Sequence, residues 1–217
     1  MEKAIIACKA KGGEPGWGWK RNQCYIEPPA SEAEVATVER ELGYRIPDSL
    51  RQVLRQFSRA VDFAWSLPRG LRPPGTLREV TSGECRWNLN GLVALEQKRN
   101  DWIRGVYSDP SDPYSAVYHN KFAFLEVGND DLLTIDLNSA EGPGVVYLSH
   151  EGDTRSHGYR LGKDFQDFVD RWTRLACPGA EDWLWMPFTV TKTSGIDPNG
   201  DNAKAWQTWF DFHPSSE

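Results

Sequence analysis

Seven acidic residues lie between positions 126 and 153 with no lysine or arginine among them: Glu126, Asp130, Asp131, Asp136, Glu141, Glu151 and Asp153. The rest of the chain holds 24 acidic and 25 basic residues, so this 28-residue stretch supplies the whole acidic excess behind the net charge of −6. Concentrated negative charge draws in a basic partner. The plainer reading of the same residues is a set of solvated strand ends and turns. Asp130 and Asp131 fall in a Gly-Asn-Asp-Asp connection between two strand-like runs, and Glu151 and Asp153 follow a third. In an antiparallel meander those two places share one end of the sheet. Asp130, Asp131, Glu151 and Asp153 are therefore the candidate contacts with a basic partner. Asp136 and Glu141 belong nearer the opposite end and rank lower.

Other chemistry finds less support. The chain has no Gly-x-Ser-x-Gly, no phosphate-cradling Gly-Lys-Ser/Thr and no Gly-x-Gly-x-x-Gly. His150-Glu151 opens like a zinc-protease motif, but Thr154 stands where the second histidine belongs. The histidines (119, 150, 157, 213) and cysteines (8, 24, 85, 177) show no paired ligand spacing, so no metal or other cofactor is expected. Asp197-Pro-Asn199-Gly-Asp201 resembles a calcium loop, yet its glycine is two positions early and Thr208 replaces the bidentate glutamate. It reads as a tight turn before a last helix. A glycosidase-like carboxylate pair or a tryptophan-lined sugar cleft stays open, although the tryptophan spacing favours core packing. The expectation is a protein that is not an enzyme.

The acidic balance argues against a nucleic-acid binder, which carries a basic stripe. The longest apolar run is Ala4-Ile5-Ile6-Ala7-Cys8, far too short to cross a membrane. Lys9 closes it with no cleavage site after it, and four scattered cysteines suit reduced thiols. Cytoplasmic residence is the expectation.

The elements that position these residues follow from periodicity. With 217 residues, 39% hydrophobic and ten tryptophans, there is material for one large domain. Residues 1–30, rich in Gly and Lys and ending at Pro28-Pro29, read as an irregular, partly docked extension. Ser31 and Glu34 make a capping box, with Val35, Val38 and Leu42 on one helical face and Gly43 as the stop. A second helix after Pro47-Asp48 aligns Leu50, Val53, Leu54 and Phe57. Val61, Phe63 and Trp65 alternate as a strand, 67–75 is a loop, and 90–103 is helical. Three strand-like runs follow at 122–127, 132–137 and 145–149, the first two joined by a hairpin turn. Phe165, Phe168, Val169, Trp172 and Leu175 mark a strong amphipathic helix. Half of the tryptophans lie in the last 46 residues, so this tail packs back on the domain and ends in a helix near 202–212. One core is expected, built on Val38, Leu42, Leu54, Phe57, Phe63, Trp65, Phe124, Ile135, Val146, Phe168 and Trp172.

Taken in order, several motifs resemble the SUKH superfamily, the group related to the yeast cell-wall assembly regulator. They are Leu42-Gly43-x-x-Ile46-Pro47 followed by Phe57-Ser58, Val61-x-Phe63-x-Trp65, Val127-Gly128-Asn129-Asp130-Asp131, Val146-Tyr147-Leu148-x-His150 and Phe165-x-x-Phe168. Asp130 stands where relatives place a second glycine, a position Asp tolerates. The resemblance covers 31–175, with 1–30 as an N-terminal extension and 176–217 similar to the C-terminal extension of a long bacterial subgroup. It implies an α+β fold with a central, largely antiparallel sheet flanked by helices, and a Trp-rich C-terminal extension docked on the same domain. It further implies an immunity protein, monomeric when free, that neutralises a cognate protein toxin by direct binding. A nuclease toxin would present a basic active-site groove. No nucleic acid or membrane partner is implied, and the family offers no catalytic residues to carry over. The alternative is a non-catalytic scaffold in cell-wall or signalling regulation.

Overall fold

The computed structural model describes residues 1–17, 20–21, 24–140, 142–152 and 154–214. The chain opens with α1 (Glu2–Ala10), β1 (Glu14–Trp17), β2 (Lys20–Arg21) and β3 (Tyr25–Ile26). The irregular start expected from the sequence is thus corrected to a helix and sheet strands. Ala4, Ala7 and Cys8, spaced i, i+3, i+4, form a buried stripe of small residues too weakly hydrophobic to register as amphipathic. That stripe lets α1 approach the sheet closely. A Cβ on Gly13 would lie 2.5 Å from Cys8 Sγ and 2.6 Å from the Ser66 carbonyl.

Next come α2 (Glu32–Leu42) and α3 (Asp48–Gln56). The capping box forms as expected: Ser31 N donates to Glu34 Oε2 at 2.7 Å and Glu34 N to Ser31 Oγ at 3.2 Å. Gly43 ends α2 in the left-handed region, φ 81°. After α3 the chain runs through β4 (Ala60–Ser66), β5 (Ser82–Asn88) and α4 (Leu92–Gly105). It continues with β6 (Lys121–Glu126), β7 (Leu132–Asp136), β8 (Val145–Leu148), β9 (Arg160–Gly162), α5 (Phe165–Thr173), α6 (Asp182–Trp185) and α7 (Asp201–Phe210).

The fold is α+β, with its antiparallel strands divided between two sheets. In the first, β5 pairs along the whole of β4, while β1 and β3 pair with β4 near its two ends. The second is the meander β6-β7-β8-β9. Beyond β1, β2 and β3, two more strands escaped the sequence pattern. In β5, Gly83 and the buried Glu84 interrupt the alternation, and β9 is only three residues long.

The main core joins both sheets to α1, α2, α3 and α5. It holds Val38, Leu54, Phe63, Trp65, Phe124, Ile135, Phe168 and Trp172, with Leu42 partly buried at its margin. Two of the expected core positions are corrected. Phe57 caps the C-terminus of α3, one residue past its end, and is 52% exposed. Val146 belongs to a second cluster with Tyr107, Tyr118, Ala123, Leu132 and Leu148. Successive strand residues face opposite sides, so Val145 and Tyr147 enter the main core while Val146 and Leu148 enter the other. The second sheet is therefore covered on both faces.

The C-terminal extension is packed on the domain by indole hydrogen bonds. Trp206 Nε1 donates to the Leu175 carbonyl (2.8 Å), Trp65 Nε1 to Ala176 (2.6 Å) and Trp185 Nε1 to Ala180 (3.1 Å). These carbonyls lie where the chain leaves α5 and would otherwise be buried without partners. The segment then bridges to the start of β5, with Glu84 N donating to the Cys177 carbonyl at 2.9 Å. Glycine is required there, since a Cβ at Gly83 would meet that carbonyl at 2.3 Å. Trp65, Trp172, Trp185 and Trp206 are fully buried, and none of these four lines a surface cleft.

Candidate functional site

The β6–β7 connection closes tightly: Val127 N donates to the Asp131 carbonyl (2.8 Å) and Asp130 N to the Val127 carbonyl (3.0 Å). Asp130 takes φ 72°, the left-handed conformation its short polar side chain tolerates. The turn survives the loss of glycine.

Asp131 is the hub of this end of the molecule, and it is buried, at 2% exposure. Its Oδ1 accepts from His150 N and from His150 Nδ1, both at 2.7 Å. Its Oδ2 accepts from Asn129 Nδ2 at 2.8 Å and from the Tyr147 hydroxyl. Four donors fill the four acceptor positions of one carboxylate. Asp131 therefore joins the hairpin to the segment after β8 and does not present its charge to a partner.

That segment, Ser149 to Gly152, is pinned through three successive carbonyls by three tyrosine hydroxyls. Tyr118 donates to the Ser149 carbonyl, Tyr107 to His150 (2.8 Å) and Tyr114 to Glu151. The Tyr107 and Tyr118 rings stack at 3.8 Å. Behind them, His157 Nδ1 accepts from Ser149 N at 3.2 Å, and its Nε2 donates to the Tyr114 carbonyl at 3.1 Å. Burial pulls its pKa from 6.5 to about 4, which keeps the imidazole neutral at pH 7 and fixes these two roles.

Helix α4 supplies the third side. Inside it Arg99 pairs with Glu96 and donates to the Tyr118 carbonyl at 3.0 Å, while Glu96 Oε1 accepts from Ala123 N at 2.7 Å. This docking carries Lys98 and Trp102 to the hairpin. Lys98 Nζ lies 2.7 Å from Glu126 Oε1 and 3.1 Å from Asp130 Oδ1. The Lys98 hydrogen bond, reinforced by its charge, holds the Asp130 carboxyl below its ordinary range.

Of the candidate contacts, Asp130 is exposed and paired with Lys98, Asp131 is buried, and Glu151 is exposed with Oε1 3.9 Å from His150 Nε2. Asp153 lies outside the described residues, as does Glu141. Asp136 pairs with Lys121 at 3.3 Å, at the opposite end of β6 and β7 from the hairpin. The described candidates do share one end of the sheet. The sequence reading missed Lys98, Trp102, His150 and the three tyrosines. A charge count along the chain cannot see a lysine delivered by a neighbouring helix, and Tyr107, Tyr114 and Tyr118 bracket what reads as a plain Asp-Pro turn. Their shared role rests on long-range contacts.

Among the described residues no three His, Cys, Asp or Glu side chains are placed to hold a metal ion. Within the Asp197 turn, Asn199 N donates to Asp197 Oδ1 at 2.9 Å, just before α7 begins. Among the described residues no helix is long and apolar enough to cross a membrane. No curated protein matches the sequence. The capping box, the hairpin and most of the amphipathic α5 fall inside residues 29–171, where the SMI1 / KNR4 family (SUKH-1) model matches about two-thirds of the chain, and the protein belongs to that family.

Proposed function

We propose that the chain is an immunity protein that neutralises a cognate protein toxin by direct binding, through the edge formed by the hairpin at Asp130 and the segment at His150 and Glu151. The observation that carries this reading is the pinning of that segment: three tyrosine hydroxyls and a buried carboxylate hold an exposed acidic surface in one conformation. A surface already ordered loses less entropy on association. Exposed carboxylates on it steer a basic partner toward it. A nuclease is such a partner, because its groove must be positive to hold phosphates. The protein acts by occupying that groove and itself performs no chemistry.

The test is co-expression with the product of the adjoining gene. Rescue of growth, together with a stoichiometric complex on pull-down, is the expected result. A folded, expressed chain that neither rescues growth nor binds that product would overturn the reading in favour of a scaffold with other partners.

A further inference from the structure

His157 is placed so that a second ring proton breaks one of its bonds. It is 2% exposed and lies against two tyrosine rings, 4.1 Å from Tyr114 and 4.5 Å from Tyr118 between centroids. Nε2 faces the Tyr114 carbonyl, which can only accept, so Nε2 carries the ring's proton. Nδ1 faces the Ser149 N–H, which can only donate, so Nδ1 offers its lone pair. The hydrogen-bond geometry alone fixes the neutral ring. A further proton taken from water could enter only at Nδ1, where it would meet the Ser149 N–H head on.

The groups around the ring are already engaged. Tyr114 and Tyr118 spend their hydroxyl protons on the Glu151 and Ser149 carbonyls, and Ser149 Oγ accepts from Glu151 N at 3.2 Å. Asp131, the carboxylate facing the ring from the hairpin, holds its four donors. Lys121 on β6 and Lys192 between α6 and α7 add positive charge that opposes another. We propose that His157 is an acid-sensitive latch: protonation at Nδ1 expels the Ser149 amide and frees the Ser149–Gly152 segment while the β6–β8 meander stays folded. That segment carries His150 and Glu151, so a partner docked there would be shed in acid. This consequence rests on the binding edge proposed above, whereas the latch belongs to the free chain.

The sign and size follow from linkage. Burial above all, aided by the two lysines and opposed by the Tyr114 bond and Asp131, lowers the ring from 6.5 to about 4. The closed segment is fully held above pH 6.5, and its opening grows about tenfold for each pH unit below, or about 300-fold by pH 4. Unfolding of the whole domain exposes Glu84 as well, whose raised carboxyl gives the opposite slope and nearly levels that process.

Native-state hydrogen exchange on the free chain between pH 7 and 4, corrected for intrinsic rates, separates the two. Protection of the Ser149 amide should fall about 300-fold, and that of Leu133 on β7 by less than about tenfold. His157→Gln cannot gain a proton and should level the Ser149 curve, while His150→Gln should leave the fall intact. Equal falls at Ser149 and Leu133 would mean that no local latch exists. A fall that survives His157→Gln would move the acid response to Asp131 and His150 and overturn the proposal. Should His157→Gln fail to fold, the imidazole nitrogen shifts of the wild-type chain decide. Nδ1 must be unprotonated at pH 7 and gain its proton over the range in which Ser149 loses protection. A protonated Nδ1 at pH 7, or titration without loss of protection, overturns the latch, and neither result touches the immunity reading.

Discussion

Two buried ionisable groups set how stability here responds to pH. Glu84 on β5 is 2% exposed; its Oε2 meets Arg86 at 2.6 Å, while Oε1 has no hydrogen-bond partner among the described residues. Burial pushes its carboxyl from 4.5 up to about 7, with Arg86 opposing and Glu181 and Asp62 adding to the rise. A carboxyl raised in the folded state favours the protonated form, so its contribution is fullest below pH 4.5 and is lost as pH climbs to about 7. His157 behaves oppositely. Its lowered value of about 4 means stability that is present above pH 6.5 and lost as pH falls toward 4. Each change is worth about 3 kcal/mol, and the two slopes oppose one another across nearly the same window. Urea melts at pH 4.5 and pH 7 should therefore show opposite tilts: Glu84→Gln leaves stability rising with pH, and His157→Gln leaves it falling. Parallel curves would show that neither group carries its charge penalty into the fold. Asp131 acts through its hydrogen bonds. Removing it as Asp131→Ala strands the buried Tyr147 hydroxyl and the His150 amide, at a cost of about 3 kcal/mol. Chemical denaturation would measure this, and a near-neutral result would show that the four bonds to Asp131 do not persist in solution.

At the scale of elements, what the sequence disclosed was whatever depends on neighbours in the chain. The capping box of α2, the Gly43 stop, the Asp130 turn and the stripe of α5 each rest on contacts within a few residues, and each formed where its spacing put it. What stayed hidden depends on distant partners. Strand β5 carries a glycine at position 83 because Cys177 and Trp65 crowd against it from 94 residues downstream and 18 upstream. Phe57 continues the period of α3, yet the helix stops one residue short of it. The candidate site divides in the same way. Its acidic residues and their common end of the sheet were legible, whereas the burial of Asp131 and the arrival of Lys98 were set by how α4 docks. The tyrosine clamp offers a direct test of an element's role. Tyr118→Phe leaves the Ser149 carbonyl without its donor and should cost about 1–2 kcal/mol. Hydrogen exchange at the His150 and Glu151 amides should quicken by more than at β7. Uniform acceleration would mean that the clamp supports the whole domain and does not single out this segment.

Across the whole molecule the decisive quantity is where the excess charge is left after folding. The stretch from 126 to 153 owns the net charge of −6 in sequence, but folding sets Lys98 against Glu126 and Asp130 and Lys121 against Asp136. Asp131 is spent inside on His150 and Tyr147. Among the described candidates this leaves Glu151 as the exposed carboxylate without a lysine or arginine beside it, next to the partly neutralised Asp130. Reversal of Asp131 would therefore damage the fold and say nothing about recognition. The informative variant is Asp130→Lys with Glu151→Lys, two exposed positions at one end of the sheet. Against a toxin with a basic groove, this variant should associate more slowly and bind more weakly at 20 mM salt than at 500 mM, because screening shortens the reach of surface charge from about 20 Å to a few ångströms. If Lys98, released from Asp130, turned inward and distorted α4, binding would fall equally at both salts, and thermal melting would reveal the change. A fall confined to low salt with an unchanged melting temperature is the outcome that assigns these carboxylates to steering. Wild-type association at both ionic strengths would remove this edge from the interface and move the search to another face of the protein.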